Sequence, residues 1–481
     1  MRKNKNIKAV ASIIITVILI FSVLVPAGVI LQDKFSTNKF LDRQNIQEFY
    51  SLEKNTIDLL CIGSSQIMNG FVAGEIYGNY GITSYGLGTC SQPVYAAYHW
   101  LLEAEKYQSP KMILYEVSRL YGDNSPMNYV KAFTEMKNTS PIKLKALSRL
   151  ELTAEEFASY YSDVYAFHSR FSELSKDDFT YLLGGNKQTY LGAALSERLF
   201  DEYSLDEEDF SFDKGSYAAD FKDEENLIYF EKMVSYCKEK DIKLVLFKTT
   251  KEDWTAAHHT GVKELAEKHG LDFVDLNLEE AVTEMELDFN NDFIDPEHYN
   301  YYGAVKATNY IGKFIDKNYD LPDRREGSGY IESYGEKFKD YLHAVKNIKL
   351  SNSNNLDDIL KYIDDDKYTI VIAKRGPSDL TEKQIELFTD MGFTAVSKDY
   401  INSVFVKSNG KIYENGASPK KIHIYGTADK AFFYAVASGG QVTAKAENAA
   451  IKIDDADGIA IAVYDNASQR IVLEYTQKTK E

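Results

Sequence analysis

Short apolar runs of strand character alternate with stretches of helical periodicity from residue 57 onward, and this alternation restricts the fold more than any other feature. The strand-like runs are residues 57–63, 82–88, 111–117, 242–247 and 271–276. The helical stretches are residues 64–79, 91–107, 224–240, 255–269, 277–287 and 301–316. Strands that alternate with helices form a parallel sheet covered by helices. The sequence therefore predicts an α/β domain over residues 57–318.

Two segments differ from this pattern. Residues 120–223 carry Tyr, Phe, Glu and Asp at roughly helical spacing with several turn signals, which predicts an inserted helical lobe. Residues 319–336 combine charged residues with Pro and Gly and show no apolar period, which is typical of a linker. The linker predicts a domain boundary.

Residues 337–481 are predicted to form a second, smaller α/β domain. A strand at 367–373 precedes a helix at 381–391, which begins with a Thr381/Gln384 capping box and stops at Gly392. Short alternating strands follow at 401–407, 421–425, 431–437, 449–453 and 458–464.

The N-terminus predicts a membrane anchor. Residues 9–32 carry no charge, whereas segment 1–8 is basic. A helix needs roughly 20 apolar residues to cross a bilayer, and basic flanks stay in the cytoplasm, so the chain after residue 32 is expected outside the cell membrane. A cleaved signal peptide, with Val25 and Ala27 near its cleavage site, is the alternative. Residues 33–56 are polar and are predicted to form a stalk.

Composition excludes several classes of function. The net charge of −18 argues against a nucleic-acid partner, because phosphate recognition needs a concentrated basic face. Cys61, Cys90 and Cys237 are too scattered for a metal site or a disulfide framework, and are predicted to be buried thiols. His258 and His259 are adjacent, so they cannot point at one metal ion from a helix face, and are predicted to lie at the surface. The sequence assigns no cofactor and no metal.

A serine and an acid–histidine pair together predict a nucleophilic site. Ser65 follows the first strand-like run, at the edge where open parallel sheets bind ligands. A serine becomes nucleophilic when an imidazole takes its proton and a carboxylate orients that imidazole. Asp295 lies three residues before His298, so its carboxylate can turn back onto the ring. We therefore predict Ser65 as nucleophile, His298 as general base and Asp295 as its orienting acid; a turn serine beside a helix cap is the alternative.

These runs resemble the SGNH or GDSL family of hydrolases and acyltransferases. The Gly-Ser-Ser run at 63–65 matches the family's Gly-Asp-Ser block, with Ser64 in place of the acid. The Asp-Pro-Glu-His-Tyr-Asn-Tyr-Tyr-Gly run at 295–303 matches the last block, in which Asp-x-x-His precedes Leu-Asn-x-x-Gly. The resemblance covers about residues 57–316 and implies a flavodoxin-like, three-layer SGNH fold.

The resemblance also implies donors to an oxyanion. The Tyr-Gly-Leu-Gly run that ends at Gly88 resembles the second block, which makes Gly88 a backbone donor beside the amide of Ser65. The third block of the family supplies an Asn in Gly-x-Asn-Asp, but the run here is Tyr-Glu-Val-Ser-Arg at 115–119. Either Ser118 or Arg119 stands in for that Asn, or the third donor is absent.

Behind an N-terminal anchor, the Gly-Ser-Ser variant resembles the cell-envelope acyltransferase branch of the family. That branch includes the D-alanyl transfer protein of teichoic-acid decoration and partners of membrane-bound O-acyltransferases that acetylate exported polysaccharides. The resemblance implies that the serine moves an acetyl or D-alanyl group on a cell-surface polysaccharide. A catalytically silent glycan-binding or scaffold protein is the alternative.

The C-terminal region resembles the interleukin-like EMT inducer (ILEI) domain. Residues 367–393 repeat its order of strand, loop, helix and Leu-Gly-like stop. The run at 458–465 is similar to that domain's Arg-Gly-Ile-Asn-Val strand, but it follows the helix here and lacks the Arg. Because some members bind sugars, the resemblance implies a glycan-binding module; a packing or partner-docking domain is the alternative.

Overall fold

The computed structural model describes residues 2–31, 37–122, 124–175, 178–179, 189–196, 224–251, 253–397, 401–429 and 431–479. The chain divides into two compact units, Met1–Tyr341 and Leu342–Glu481.

The first unit is built on a five-stranded parallel sheet. Its strands and two small hairpins are β1 (Leu59–Gly63), β2 (Ser84–Gly88), β3 (Met112–Glu116), β4 (Thr189–Tyr190), β5 (Ala193–Ala194), β6 (Lys243–Lys248), β7 (Asp272–Asp275), β8 (Phe293–Asp295) and β9 (His298–Tyr299). The sheet order is β2-β1-β3-β6-β7, which is the flavodoxin-like order 2-1-3-4-5. Every residue of β1, β2 and β3 is buried, because helices cover both faces of a parallel sheet.

Helices connect the strands in the order that the periodicity predicts. Helix Val94–Ala104 contacts Glu224–Glu239, and helix Tyr301–Asn318 contacts Ala73–Tyr80. The remaining helices after β1 are Ser65–Met68, Ala256–His269 and Glu279–Met285. These elements confirm the predicted α/β fold and bring the carboxyl ends of β1, β3 and β6 to one edge of the sheet.

The N-terminal region contains two helices. Within helix Arg2–Leu31, the segment Ser12–Leu31 is long and apolar enough to span a membrane, a criterion that a signal sequence also meets. Helix Thr37–Ser51 replaces the predicted stalk, since its Ile46 and Phe49 are fully buried. Its polar residues Asp42, Asn45 and Glu48 are buried as well, so the helix has no continuous apolar face for the sequence pattern to show.

The described part of the insertion is helical up to residue 175, as predicted. Its helices are Ser118–Tyr121 (3-10), Pro126–Thr134, Pro141–Leu147, Ala154–Ser159, Asp163–Phe167 and His168–Glu173 (3-10). Strands β4 and β5 form a hairpin that extends the sheet edge, where the Gly86 amide donates to the Leu191 carbonyl at 3.2 Å. Residues 180–188 and 197–223 of the predicted lobe lie outside the described residues.

The predicted linker packs on the first unit instead of crossing solvent. The Arg324 guanidinium donates two hydrogen bonds to the Asp58 carboxylate, at 2.8 and 3.1 Å. Tyr334 is buried and its hydroxyl donates to the Ser84 carbonyl at 2.8 Å. Helix Glu332–Ser351 begins inside the predicted linker, and the division between units falls within it, after Tyr341. A charged residue of the predicted linker, Arg324, pairs with a partner distant in the chain, Asp58, which composition alone cannot show.

The second unit contains two antiparallel sheets. Its strands are β10 (Tyr368–Arg375), β11 (Asn402–Ser408), β12 (Lys411–Ser418), β13 (Ile422–Ala428), β14 (Ala431–Ser438), β15 (Gln441–Ala446), β16 (Ala449–Asp454), β17 (Gly458–Asp465) and β18 (Arg470–Lys478). One sheet has the order β12-β11-β10-β17-β18, and the other has the order β13-β14-β15-β16. The sequence missed β12, β15 and β18.

The unit has three layers. One face of the five-stranded sheet packs on helices through a cluster that includes Ile370, Ile372 and Phe388. The other face packs on the four-stranded sheet through residues such as Val371 and Ala435. The helices wholly inside the unit are Leu356–Tyr362 and Glu382–Asp390. The Thr381/Gln384 capping box is present, as predicted.

His343, in the part of helix Glu332–Ser351 that belongs to the second unit, contacts two acids of that unit. Its Nε2 lies 3.1 Å from Asp465 Oδ2 and its Nδ1 lies 3.7 Å from Asp365 Oδ2. Burial lowers the pKa of His343, but the two carboxylates outweigh burial and the pKa is raised above the usual 6.5. The pKa values of Asp365 and Asp465 are lowered, because their bonds with His343 outweigh the burial that raises them.

We expect this ion pairing to make the second unit less stable at high pH. The folded state holds the proton more tightly than the unfolded chain, so the stabilisation is complete below pH 6.5 and is lost as pH rises through the raised pKa. Hydrogen exchange of β17 amides, corrected for intrinsic rates, should show protection falling over that range. His343→Gln should remove the dependence, and exposed His423→Gln should keep it. Equal pH profiles for wild type and His343→Gln would contradict this.

Candidate active site

Ser65 lies at the carboxyl edge of the sheet, directly after β1. Ser64 caps the short helix Ser65–Met68, so Ser65 is its first residue. The turn requires Gly63, because a Cβ there would lie 2.8 Å from the Glu116 Cβ. The tight packing of the strand end therefore fixes the position of the Ser65 hydroxyl.

The acid and the histidine lie on a hairpin and not on the open loop that their spacing suggested. β8 ends at Asp295, β9 begins at His298, and the two are cross-strand partners over a two-residue connection. The Glu297 amide donates to Asp295 Oδ1 at 2.8 Å. The buried Tyr299 hydroxyl donates to Thr250 Oγ1 at 2.5 Å, which ties the hairpin to the end of β6. Cross-strand partners lie side by side, which explains how the carboxylate reaches the ring.

The structure brings the three predicted side chains into one hydrogen-bonded line. Ser65 Oγ lies 2.8 Å from His298 Nε2, and His298 Nδ1 lies 2.9 and 3.0 Å from the two oxygens of Asp295. Because a carboxylate only accepts, Nδ1 carries the proton and Nε2 accepts from the Ser65 hydroxyl. Burial raises the pKa of Asp295, but its bonds from His298 and from two amides outweigh burial and lower it. Asp295 therefore stays ionised at neutral pH.

A buried ion pair lies beneath the nucleophile. Glu116 ends β3 and Lys248 ends β6, their charged atoms are 3.3 Å apart, and neither side chain is exposed. Glu116 also accepts from the Ser118 hydroxyl at 2.6 Å, the Ser118 amide at 3.1 Å and the Ser64 hydroxyl at 3.5 Å. Burial lowers the pKa of Lys248, and Lys251 adds to this effect.

A chain of donors runs from this pair to the hairpin that carries Asp295 and His298. Lys248 Nζ donates to Thr249 Oγ1 at 3.1 Å, and that hydroxyl donates to Gln66 Oε1. Gln66 Nε2 then donates to the Glu297 carbonyl at 2.6 Å. Gln66 follows the nucleophile and Glu297 precedes His298, so this chain couples the two segments that must meet.

The three residues predicted to donate to an oxyanion, Ser65, Gly88 and Ser118, differ in their surroundings. The Ser65 amide lies at the first position of its helix, where N–H groups have no intrahelical acceptor. Gly88 packs on the nucleophile turn, since a Cβ there would lie 2.7 Å from the Ser64 carbonyl oxygen. Ser118 is different, because its amide and its hydroxyl both donate to Glu116. Ser118 therefore has no donor to offer an oxyanion in this arrangement.

A cleft of about 270 Å³ opens beside Ser65. Arg119 and Lys251 bring positive charge to it, and Lys251 pairs with Asp253 at 3.1 Å and Glu297 at 3.2 Å. Its other lining residues are Ser64, Ser65, Gln66, Ser91, Ser118, Tyr121, Gly122, Trp254 and His258. Within the part of the chain that the structure describes, the lining contains no aliphatic side chain. The cleft is therefore polar and short.

Sequence reasoning missed three features of the site. His258 is half-buried; it lines the cleft and stacks on Trp254, with ring centroids 5.1 Å apart. Ser91 lines the cleft with a left-handed backbone (φ 52°), a conformation uncommon for a non-glycine residue. Glu116 and Lys248 looked like ordinary strand ends. The sequence signal for this pair is that each of the two strands, otherwise mostly apolar, ends in a charged residue.

Comparisons with known proteins find similar solved structures, among them two from Bacteroides species. One is a protein of Bacteroides fragilis classed as an acylhydrolase, with 13% identity, coverage of 60% of this chain and 99% of that chain, and a TM-score of 0.28. The other is a GDSL-like lipase of Bacteroides thetaiotaomicron, with 10% identity, coverage of 58% and 98%, and a TM-score of 0.27. Neither a family model nor a curated protein matches the chain. The TM-scores are low, so the chemistry below is derived from this chain's own residues.

Breaking the buried ion pair should destabilise the first unit strongly. Lys248→Met leaves the Glu116 charge buried without its partner, and we expect a loss of about 3–5 kcal/mol in unfolding free energy. Urea unfolding followed by tryptophan fluorescence tests this, because Trp100 and Trp254 both lie in the first unit. Lys243→Met, at the exposed start of the same strand, should change stability by less than about 0.5 kcal/mol.

The double variant Glu116→Gln/Lys248→Met removes both charges and should recover part of that loss. If Lys248→Met were no less stable than Lys243→Met, the pair would not hold the strand ends.

The donor chain should control how well Ser65 and His298 are aligned. Thr249→Val removes the hydroxyl that holds Gln66, whereas Thr249→Ser keeps it. We expect the valine variant to react with a fluorophosphonate, a reagent for activated serines, about tenfold to a hundredfold more slowly than the serine variant. Labelling rates with matched unfolding curves check this. Equal rates for the two variants would show that Gln66 does not position the nucleophile.

Proposed function

We propose that this chain is a serine-dependent acyl enzyme of SGNH type, an esterase or O-acyltransferase. The observation that carries the proposal is the line Ser65–His298–Asp295, with both hydrogen bonds between 2.8 and 3.0 Å. Two further features support it. The serine opens onto a cleft, and the acid is ionised and holds the imidazole in the tautomer that accepts a proton.

The chemistry follows from the atoms present. Ser65 Oγ attacks the ester carbonyl carbon while its proton passes to His298 Nε2, and Asp295 stabilises the imidazolium. The Ser65 amide and, as the family resemblance implies, the Gly88 amide stabilise the oxyanion. The C–O bond of the ester then breaks, His298 protonates the departing alcohol, and an acyl group remains on Ser65. Water or a sugar hydroxyl, deprotonated by His298, releases it.

The cleft favours a small acyl group. A long acyl chain needs an apolar wall, and the described lining has no aliphatic side chain. Charged and hydrogen-bonding side chains suit a polar acceptor with many hydroxyls. We propose an acetyl or D-alanyl group and a cell-envelope polysaccharide acceptor.

The N-terminal helix supports a location at the membrane. Ser12–Leu31 has a mean hydropathy of 2.9, and basic residues precede it. An uncleaved anchor with the basic end in the cytoplasm places both units outside the cell membrane. There the enzyme would take its acyl group from a membrane-bound O-acyltransferase and pass it to a glycan.

A catalytically silent glycan-binding or scaffold protein is the second candidate. The engagement of Ser118 with Glu116 favours it, because Ser118 is then not a third oxyanion donor, which leaves only Arg119 of the two residues expected to replace the family's Asn. Acyl transfer from an activated donor tolerates such a loss better than ester hydrolysis does, so the same observation also suits a transferase.

We expect Ser65→Ala to abolish fluorophosphonate labelling and to lower hydrolysis of a chromogenic acetyl ester by about 10⁴-fold. His298→Ala should do the same, and Asp295→Asn should also lower activity strongly, because the Asn amide can donate to Nδ1 and stabilise the tautomer that cannot accept the serine proton. Ser64→Ala is the matched control and should still label. The measurements use the full chain in detergent micelles.

Labelling that persisted in Ser65→Ala but vanished in Ser64→Ala would make Ser64 the nucleophile. Neither labelling nor turnover in the wild type would exclude simple esterase activity and favour the scaffold.

A further inference from the structure

The four-stranded sheet of the second unit has one buried face and one exposed face. Residues of its strands alternate, so Ala435, Val442 and Ala444 pack into the core between the sheets. The residues between them point the other way. We call this side the outer face; its residues are Lys421 (just before β13), His423, Tyr425, Thr427, Phe432, Tyr434, Thr443, Lys445 and Lys452.

Aromatic rings are concentrated on the outer face. Tyr425 is 72% exposed and Phe432 is 41% exposed. Tyr425 and Tyr434 are cross-strand partners, and the His423 ring lies 5.1 Å from the Tyr434 ring. A contiguous patch of exposed rings of this kind marks an interaction site more often than a packing defect. The cluster is therefore a surface for stacking.

The charge of the outer face is opposite to that of the whole chain. Lys421, Lys445 and Lys452 contribute three positive charges against two nearby acids: Asp454 pairs with Lys452 at 2.9 Å, and Glu447 accepts from the Phe432 amide at 2.5 Å. Lys445 Nζ lies 5.6 Å from the Phe432 ring centroid, so cation and ring share one site. A positive surface on a chain of net charge −18 is selective for an anionic partner.

The chemistry of the outer face suits a sugar polymer better than a lipid bilayer. Flat aromatic rings stack on the C–H faces of pyranose rings, and the Thr427, Thr443 and tyrosine hydroxyls can bond sugar hydroxyls. A membrane-binding surface instead carries protruding Leu, Ile or Trp side chains, and none of the residues defined as the outer face is one of these. Strand spacing also places the rings in rows along which an extended polymer can lie.

We propose that the outer face binds an anionic polysaccharide, with Tyr425 and Tyr434 stacking on its sugar rings and Lys445 and Lys452 pairing with its acidic groups. That this polymer is the acyl acceptor rests on the proposed function; the binding itself does not. The site is distinct from the cleft beside Ser65, because all of its residues belong to the second unit.

Binding of oligogalacturonate, a carboxylated sugar polymer, to the full chain in detergent micelles tests the proposal. We expect saturable binding that weakens as salt rises. Tyr425→Ala/Tyr434→Ala should lower the affinity at least about tenfold through lost stacking. Lys445→Gln/Lys452→Gln should lower it and flatten the salt dependence. Lys383→Gln and Phe171→Ala, an exposed lysine and an exposed ring elsewhere in the chain, are matched controls that should leave it unchanged.

Three results would overturn the proposal: no binding of oligogalacturonate, equal binding by the outer-face variants and the controls, or equally tight, variant-sensitive binding of polyglutamate or of phosphatidylglycerol vesicles. The last result would assign the surface to any polyanion or to a membrane. Hydrolysis of a small acetyl ester is measured on the same variants and should not change. If the chain did not bind the glycan but Ser65 were active, only the binding surface would be contradicted. If the chain bound the glycan but Ser65 were inactive, only the proposed function would be contradicted.

Discussion

The buried ion pair between Glu116 and Lys248 is the interaction on which the candidate site depends. Removing two charges from water costs several kcal/mol each, so the pair is retained only because each charge has its partner and further hydrogen bonds. Loss of either partner leaves the other buried and unpaired, which couples the ends of β3 and β6. The nucleophile turn lies directly on this coupled pair, since Gly63 packs on the Glu116 side chain.

The same pair explains how residues 233 positions apart in the chain meet. The donors that begin at Lys248 pass through Thr249 and Gln66 to the Glu297 carbonyl, so the segment before His298 is bonded to the segment after Ser65. Tyr299 adds a second tie to Thr250. Because Lys248, Thr249, Gln66 and Tyr299 are buried, water competes little for these bonds, and the alignment of serine and imidazole depends on the strand ends.

The sequence predicted those parts of the structure that depend on local pattern. Buried parallel strands such as β1 and β3 are continuous apolar runs, and the three-residue spacing of Asp295 and His298 predicted their contact but not the hairpin that carries them. Edge strand β12 shows no strand signal because its residues are mostly polar and none is buried, and in edge strand β18 the apolar run is only three residues long, at 471–473. The helix Thr37–Ser51 was taken for a stalk because only a few of its positions are apolar. The Glu116–Lys248 pair could not be predicted, since it joins two strand ends separated by more than a hundred residues.

The engagement of Ser118 bears on the balance between hydrolysis and transfer. Glu116 accepts hydrogen bonds from both the amide and the hydroxyl of Ser118. Ser118 therefore stabilises the buried carboxylate and cannot at the same time donate to an oxyanion. With two backbone donors, an activated acyl group is handled more readily than an unactivated ester, because less charge stabilisation is needed to reach the transition state. If the outer face of the second unit binds the acceptor polymer, as proposed, the acceptor hydroxyls stay attached to the same chain as Ser65. Retention of that kind would favour transfer over hydrolysis without any change in Ser65, His298 or Asp295, so in the proposed reaction the binding surface and the nucleophile are separate determinants of the outcome.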